Sequence, residues 1–218
     1  MSERVSFRMM FKKLVLAACF GLGLSGCQVA LPELGMSPKM AQDSVRLSAS
    51  DFVVSAPDGF CIDAASIKNT PQAGFVLMAD CAALRGKKRK VDQSRSLMLT
   101  AAISAPLDSV DSVTPKALKQ FFDTAQGRTT LSRNGDPSTV FSSMEIMPHD
   151  ILILHIRDSS PAQIMGLAQD DWRAFVVIKG RLVTLTAAPF VNASVANPSA
   201  KTLVTQLARR LQVENATE

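Results

Sequence analysis

Residues 172–187 read WRAFVVIKGRLVTLTA. Two apolar runs, Trp172 to Ile178 and Leu182 to Ala187, flank Lys179-Gly180-Arg181, and β-branched and aromatic side chains fill both arms. Strand formers on either side of a glycine turn predict a β-hairpin. Immediately upstream, Pro148-His149-Asp150 turns into Ile151 to Ile156, an apolar run short enough for a buried strand. Asn134-Gly135, between Thr129–Arg133 and Val140–Met147, predicts a further hairpin. Toward the N-terminus, Phe52-Val53-Val54 reads as a short strand closed by the turn Ala56-Pro57-Asp58-Gly59. Gly74 to Cys81 and Leu97 to Ile103 are also strand-like, the second stopped by Pro106, and residues 63–69 fit one helical turn or a loop.

Helices punctuate this pattern. Thr114-Pro115 supplies an N-cap and first-turn pair, with Leu118, Phe121, Phe122 and Ala125 on one face and Gly127 just past the end. Ser160-Pro161 predicts the cap of a short helix containing Ile164, Met165 and Leu167. Asn197-Pro198 opens the last helix, with Leu203, Leu207 and Leu211 four residues apart. Hairpins with helices between them imply one α+β domain over residues 46–215, an antiparallel sheet built from hairpins and covered by two or three helices. The order of helix, hairpins, Trp-Arg strand, hairpin and C-terminal helix resembles the PsbP/Mog1-like sandwich. The segments Phe52–Cys61 and Gly74–Cys81 resemble stretches of alphaproteobacterial envelope proteins, which brings no activity with it.

Composition agrees with a globular chain: 218 residues, 47% hydrophobic and 20% charged, which excludes a mostly disordered, collagen-like or coiled-coil protein. The single long apolar run lies at the N-terminus, so a multi-span membrane protein is excluded as well. There Arg4, Arg8, Lys12 and Lys13 precede Leu14 to Gly23, followed by Leu24-Ser25-Gly26-Cys27. A basic start, a short apolar stretch and small residues make a secretory signal. Met9 or Met10 would each begin a more compact one.

Leu24-Ser25-Gly26-Cys27 resembles the lipobox of bacterial lipoprotein precursors. The resemblance implies that residues 1–26 are a signal peptide, that Cys27 carries a diacylglyceryl group, and that its new amine is acylated. Leu16-Ala17-Ala18-Cys19 matches in type but leaves three apolar residues after Lys13, short of the ~7 an apolar signal core needs. Gln28 follows Cys27 where inner-membrane retention uses Asp in some bacteria, so the resemblance implies the outer membrane, facing the periplasm. Removing residues 1–26 takes away four basic residues and one acidic one, so the net charge falls from +5 to +2. Residues 27–45 hold the lipidated Cys and a tether without periodic pattern; a coil of that length averages about 23 Å and reaches roughly 60 Å when extended.

Of four cysteines, Cys61 and Cys81 remain for the folded part. A pair in an oxidising compartment reads as a disulfide, and no CxxC or Cys/His spacing suggests a metal or redox site. Signatures of catalysis are missing: no GxSxG or HExxH sequence occurs, and no GxGxxG or Walker sequence offers a phosphate cradle. His155 alternates with apolar neighbours as a half-buried strand residue would, and His149 sits in a turn. Among the carboxylates, Asp170 and Asp171 would point to opposite faces of a strand, Asp108 and Asp111 precede a helix, and Glu145 reads as a solvent-facing strand residue. No catalytic residue, cofactor or metal is therefore expected.

The sharpest surface feature is Arg85-Gly86-Lys87-Lys88-Arg89-Lys90, followed by Arg95. KKRKV would be a nuclear signal elsewhere; the secretory signal overrides that reading, and the lack of interleaved aromatics disfavours nucleic acid. Arg85, Lys87, Lys88, Arg89 and Lys90 are either a solvated loop or a contact for a polyanionic lipid or glycan. The expectation is a lipid-anchored envelope protein with a non-enzymatic binding, structural or assembly role, its partners the membrane and an envelope protein or polyanion. The alternatives are a small hydrolase acting on an envelope polymer and a carrier or chaperone for a lipid or hydrophobic ligand.

Overall fold

The hairpin at residues 172–187 forms as its residues dictate. In the computed structural model, β9 (Asp170–Ile178) and β10 (Arg181–Pro189) pair antiparallel, with Val177 opposite Leu182 and Trp172 opposite Ala187. Lys179 and Gly180 both take positive φ, 48° and 67°, the two-residue turn whose twist matches the strands it joins. The structure describes residues 41–86, 95–161, 164–191, 193 and 197–216.

The remaining strands are β1 (Ser44–Leu47), β2 (Phe52–Ser55), β3 (Phe60–Ile62), β4 (Lys68–Asn69), β5 (Gly74–Asp80), β6 (Leu97–Pro106), β7 (Val140–Met147) and β8 (Ile151–Asp158). The main sheet is antiparallel throughout, in the order β3-β5-β6-β10-β9-β8-β7, with β4 also paired to β5. β1 and β2 form a separate hairpin. The α+β class with an antiparallel sheet thus holds. Its folded part takes in residues expected in the tether, since β1 starts at Ser44 and Gln42 pairs with Ile62.

Period-two alternation sorts side chains onto two faces. On one face, Val76, Met78, Leu99, Ala101, Ile103, Val183, Leu185, Ala174, Val176, Ile151 and Ile153 share a core with the last helix and the β1–β2 hairpin. That helix, α4 (Asn197–Glu214), contributes Ala200, Val204, Leu207, Ala208 and Leu211, all buried. Each fully buried Leu of this kind contributes roughly 1.5–3 kcal/mol. Asn215 fastens the end of α4 to β2: its side-chain amide accepts from Val53 N–H at 2.7 Å and donates to Val53 C=O at 2.8 Å. On the other face, Leu152, Leu154, Ile156 and Phe175 pack with Phe122 and Leu131 from the segment between β6 and β7.

That segment departs from expectation. The helix begun at Thr114-Pro115 is present, its Thr114 hydroxyl accepting from Ala117 N–H, but it ends early, as α2 (Pro115–Phe122). A new helix, α3 (Ala125–Leu131), replaces both the expected continuation and the strand predicted at Thr129–Arg133. Thr124 causes the break: it is extended (φ −80°, ψ 160°), and its hydroxyl caps α3 through Gly127 N–H at 3.0 Å. Asn134-Gly135 makes a turn, as expected, but one leading from α3 toward β7 rather than a hairpin. Leu131 must reach the core beside Phe122, and a helix delivers it there. Gly127 is no helix terminator either. It lies where α3 crosses the end of α2, and a Cβ there would meet the Phe121 carbonyl oxygen and stand 2.6 Å from Phe122 Cα. Gly127→Ala is therefore expected to lower stability by about 2 kcal/mol through forced separation of α2 and α3, read as a lower urea midpoint.

The helix expected after Ser160-Pro161 is also replaced. Ser160 N–H donates to Asp158 Oδ1 at 2.9 Å, Gly166 adopts φ 89°, and Leu167 pairs as an isolated bridge with Phe190. Pairing with the end of β10 wins over the local cap signal. A short helix not anticipated, α1 (Cys81–Leu84), follows β5 and is capped by Asp80, whose carboxylate accepts from Ala82 and Ala83 N–H. Among the described residues no helix is long and apolar enough to cross a membrane.

Candidate functional site

The polar side chains that the structure gathers lie at one end of the sheet, where β7 and β9 begin and β8 and α4's first turns meet them. His155 on β8 and Trp172 on β9 are register partners, and their rings stack with centroids 4.4 Å apart and planes 13° from parallel. Such cross-strand aromatic pairs add to sheet stability beyond the area they cover. Lys201 of α4 places its ammonium 5.8 Å from the Trp172 ring centroid and also bonds Glu145 of β7 at 2.5 Å. Asp170 holds a bidentate contact from Arg157, at 3.0 and 3.4 Å. His155 Nε2 stands 3.3 Å from the same carboxylate without the alignment of a hydrogen bond.

Asp170 and Asp171 do point to opposite faces, as alternation requires. Asp171 is buried on the far face and is gripped by Arg173 through two bonds at 3.0 and 3.2 Å. Glu145 faces solvent, yet it is ion-paired. His149 lies in the β7–β8 turn at φ 66°, its carbonyl accepting from Gln212 of α4. The carboxylates of this end are thus each tied to a cation.

Asp158 closes the same end from the other face. Burial alone would push its carboxyl up, but the backbone N–H groups of Arg133 (2.6 Å) and Ser160 (2.9 Å) hold it below the usual carboxylate value. A depressed folded value stabilises the fold above the unfolded carboxylate's pKa, near 4, and that contribution is lost as pH falls through the folded value. Asp158→Asn is expected to cost about 1–3 kcal/mol at neutral pH and to flatten the loss of stability below pH ~4, measured by urea unfolding across pH. An acid limb identical to that of the parent would contradict this role.

Cys61 and Cys81 are joined in a disulfide, with Cα atoms 4.8 Å apart. Asp43 lies beside the two sulfurs, but with both sulfurs in the bond the group offers no thiolate to a metal. Arg85 is described: its guanidinium is turned toward Cys61 Sγ at 3.7 Å. Arg95 pairs with the buried Asp80 at 2.9 Å. Cys27 and the cations Lys87, Lys88, Arg89 and Lys90 lie outside the described residues. The His155–Trp172–Asp170–Lys201 ledge was not foreseen as a site. Its sequence signal was a histidine and a tryptophan at the polar ends of two strands whose other halves are apolar, each with one buried period-two neighbour, Ile153 and Ala174.

Open grooves of about 370–380 Å³ flank α4, one between Pro57-Asp58 and Leu203, Leu207 and Arg210, another between Met147 and Lys201, Thr205 and Arg209. Fold and site together define an α+β domain that presents a shallow aromatic and ion-paired surface. No family model matches the chain, and no curated protein matches it in sequence. Among solved structures it is similar to the solution structure of cyanobacterial PsbP (CyanoP) from Synechocystis sp. PCC 6803, at 13% identity and a TM-score of 0.40, over 91% of this chain and 96% of that one.

Proposed function

We propose that this chain is a lipid-anchored protein of the bacterial cell envelope, held through Cys27 on the outer membrane and facing the periplasm, with a binding or assembly role and no catalysis of its own. The location is supported by the basic start, apolar stretch and Leu24-Ser25-Gly26-Cys27 of its first residues. The binding role is carried by the ledge: a stacked His155–Trp172 pair, bordered by Lys201 and Arg157, whose carboxylates are committed to ion pairs rather than poised for proton transfer. A hydrolase of the paired-carboxylate kind needs one acid and one base facing a common substrate. A carrier needs an enclosed apolar cavity, whereas the grooves beside α4 are open and bordered by Arg209, Arg210 and Lys201.

A photo-crosslinker at Arg157 or Lys201 in the anchored protein is expected to trap a discrete envelope component that the same crosslinker at Val213 does not. Equal trapping at all three positions would remove the ledge from the reading, and turnover of an envelope polymer by the purified chain would overturn its non-enzymatic part.

The basic cluster supplies a second contact of the same protein, toward a polyanion. Changing Lys87, Lys88, Arg89 and Lys90 together to Ser is expected to leave stability within about 0.5 kcal/mol. Binding to anionic vesicles or lipopolysaccharide should fall, and the parent's binding should weaken steeply with salt as the Debye length shrinks from about 10 Å at 0.1 M to about 3 Å at 1 M. Binding that the four substitutions leave unchanged returns this stretch to a solvated loop.

A further inference from the structure

β7 is the last strand of the sheet, and its outer side is open. Among the described residues, the backbone of Phe141–Met147 bonds to β8 alone. In an antiparallel pair, successive residues turn N–H and C=O alternately toward and away from the neighbour. The phase is set at one end of the pair. Ser159 N–H donates to Thr139 C=O at 3.0 Å, whereas Asp158 N–H, opposite Val140, turns away to Gln169 C=O at 3.0 Å. Odd-numbered residues of β7 therefore bond inward, and Ser142, Met144 and Ile146 direct N–H and C=O outward. Val140 gives its own N–H to Pro137 C=O.

An unpaired edge is a template for another strand, and proteins block such edges with lysine, proline or bulges. β7 carries none of these: it reads VFSSMEIM in unbroken register with β8. Its one charge, Glu145, is paired with Lys201 of α4. Phe141 and Ile146 stand 69% and 47% exposed along it. The opposite edge differs, since β3 is three residues long and Ile62 is bridged to Gln42.

The strand is complementary to itself. Two copies related by a two-fold axis normal to the sheet keep paired side chains on one face only when the paired residue numbers sum to an even value. With the axis at Met144, Met144 meets its own counterpart and Ser142 meets Ile146 of the second copy. Every outward N–H and C=O of Ser142, Met144 and Ile146 then finds a partner. Moving the axis by one residue either way leaves a C=O without a donor, because Val140 N–H is taken and Pro148 has none. One of those shifts also sets Glu145 against Glu145. On the α4 face the Met144 register places Phe141 against Met147, an aromatic–sulfur contact, and the Ser143 hydroxyl against Glu145.

We propose that β7 is a homodimer interface, a second copy of this chain pairing antiparallel with it about a two-fold axis at Met144. The two sheets become one and show the same face. Two His155–Trp172 pairs then stand three strand spacings, about 14 Å, apart across the sheet. Dimerisation depends neither on the anchor nor on a ligand at the ledge.

The test is sedimentation of the full chain in excess neutral detergent from about 1 μM to about 0.5 mM, the span in which weak to moderate pairs associate. The parent is expected to pass from monomer to dimer. Ser142→Pro removes an outward N–H and no bond to β8, and is expected to stay monomeric with an unchanged circular dichroism spectrum. Ser143 is exposed, so its substitution leaves the single chain folded. Ser143→Lys gains an ion pair with Glu145 on each side of the axis and is expected to tighten the dimer several-fold. Ser143→Glu opposes like charges there and is expected to weaken it several-fold. Should Ser142→Pro not fold, the opposite shifts of the two Ser143 variants decide. A parent that is monomeric throughout, or a dimer indifferent to these substitutions, overturns the proposal. A photo-crosslinker at Phe141 in membranes is expected to join Met147 of a second copy, and adducts with a different protein alone overturn the second copy as occupant.

Discussion

Replacing Cys27 with Ser is expected to leave the chain unacylated and uncut, a complete loss rather than a partial one. The lipobox resemblance implies that the Cys thiol receives the diacylglyceryl group and that cleavage awaits this modification. A thiol, partly ionised near neutral pH, is a far better nucleophile than an alcohol. With a hydroxyl in place of the thiol no thioether can form, so the precursor keeps residues 1–26 and its mass exceeds the mature form by that segment. Cys19→Ser, by contrast, should be processed normally, because too short an apolar run precedes it. Two or three acyl chains hold a protein stably where one is marginal, so the parent should partition wholly with detergent. Intact-mass measurement of parent, Cys19→Ser and Cys27→Ser decides the matter. Normal lipid attachment in the Cys27→Ser protein would overturn the anchor, and with it the envelope location.

The parts of the fold that were legible in the sequence are those whose decisive interactions are local. The β9–β10 hairpin needs only Lys179-Gly180 to accept positive φ and the flanking residues to alternate. The start of α2 needs only the Thr114 hydroxyl three residues before Ala117 N–H. Where local and distant interactions compete, the distant ones win. Thr124 carries the same capping chemistry as Thr114, yet nothing near it in sequence says that Phe121 and Gly127 backbones will touch. Ser160-Pro161 has the composition of a helix cap, but Leu167 finds Phe190 and the segment is drawn to the end of β10. The insertion of β10 between β6 and β9 is likewise invisible from any window of sequence.

The ledge was hidden for the same reason. His155 and Glu145 lie on paired strands, Asp170 and Trp172 on the next, and Lys201 on the helix packed against β8 and β9. Each looks ordinary in its own segment. Only the sheet order turns a half-buried histidine, a lone tryptophan and a helix lysine into one surface. The cysteine pair was legible because elimination left two thiols and the secretory signal led to the expectation of an oxidising compartment, a constraint that needs no knowledge of topology.

That pair carries the other large expected effect. Cys61 sits on β3, an edge strand of three residues, and Cys81 opens α1 directly after β5. Phe60, Cys61 and Ile62 register with β5, and the two-residue β4 and the Gln42–Ile62 bridge add further backbone pairing at this edge. The disulfide closes a 20-residue separation, which in the chain-entropy account removes about 3 kcal/mol of freedom from the unfolded chain. The Cα separation of 4.8 Å lies inside the range that a disulfide spans without backbone movement. Changing both residues to Ala is therefore expected to lower stability by about 3 kcal/mol, with a lower urea midpoint and little change in slope. Amide exchange should rise first in β3 and at the end of β5, while β9 and β10, central in the sheet, keep their protection until global unfolding. Mature protein taken from the envelope should show no free thiol at either position before reduction. Alkylation of both without a reductant would refute the disulfide, and an unchanged midpoint in the double Ala variant would show that this edge is held by something other than the bond.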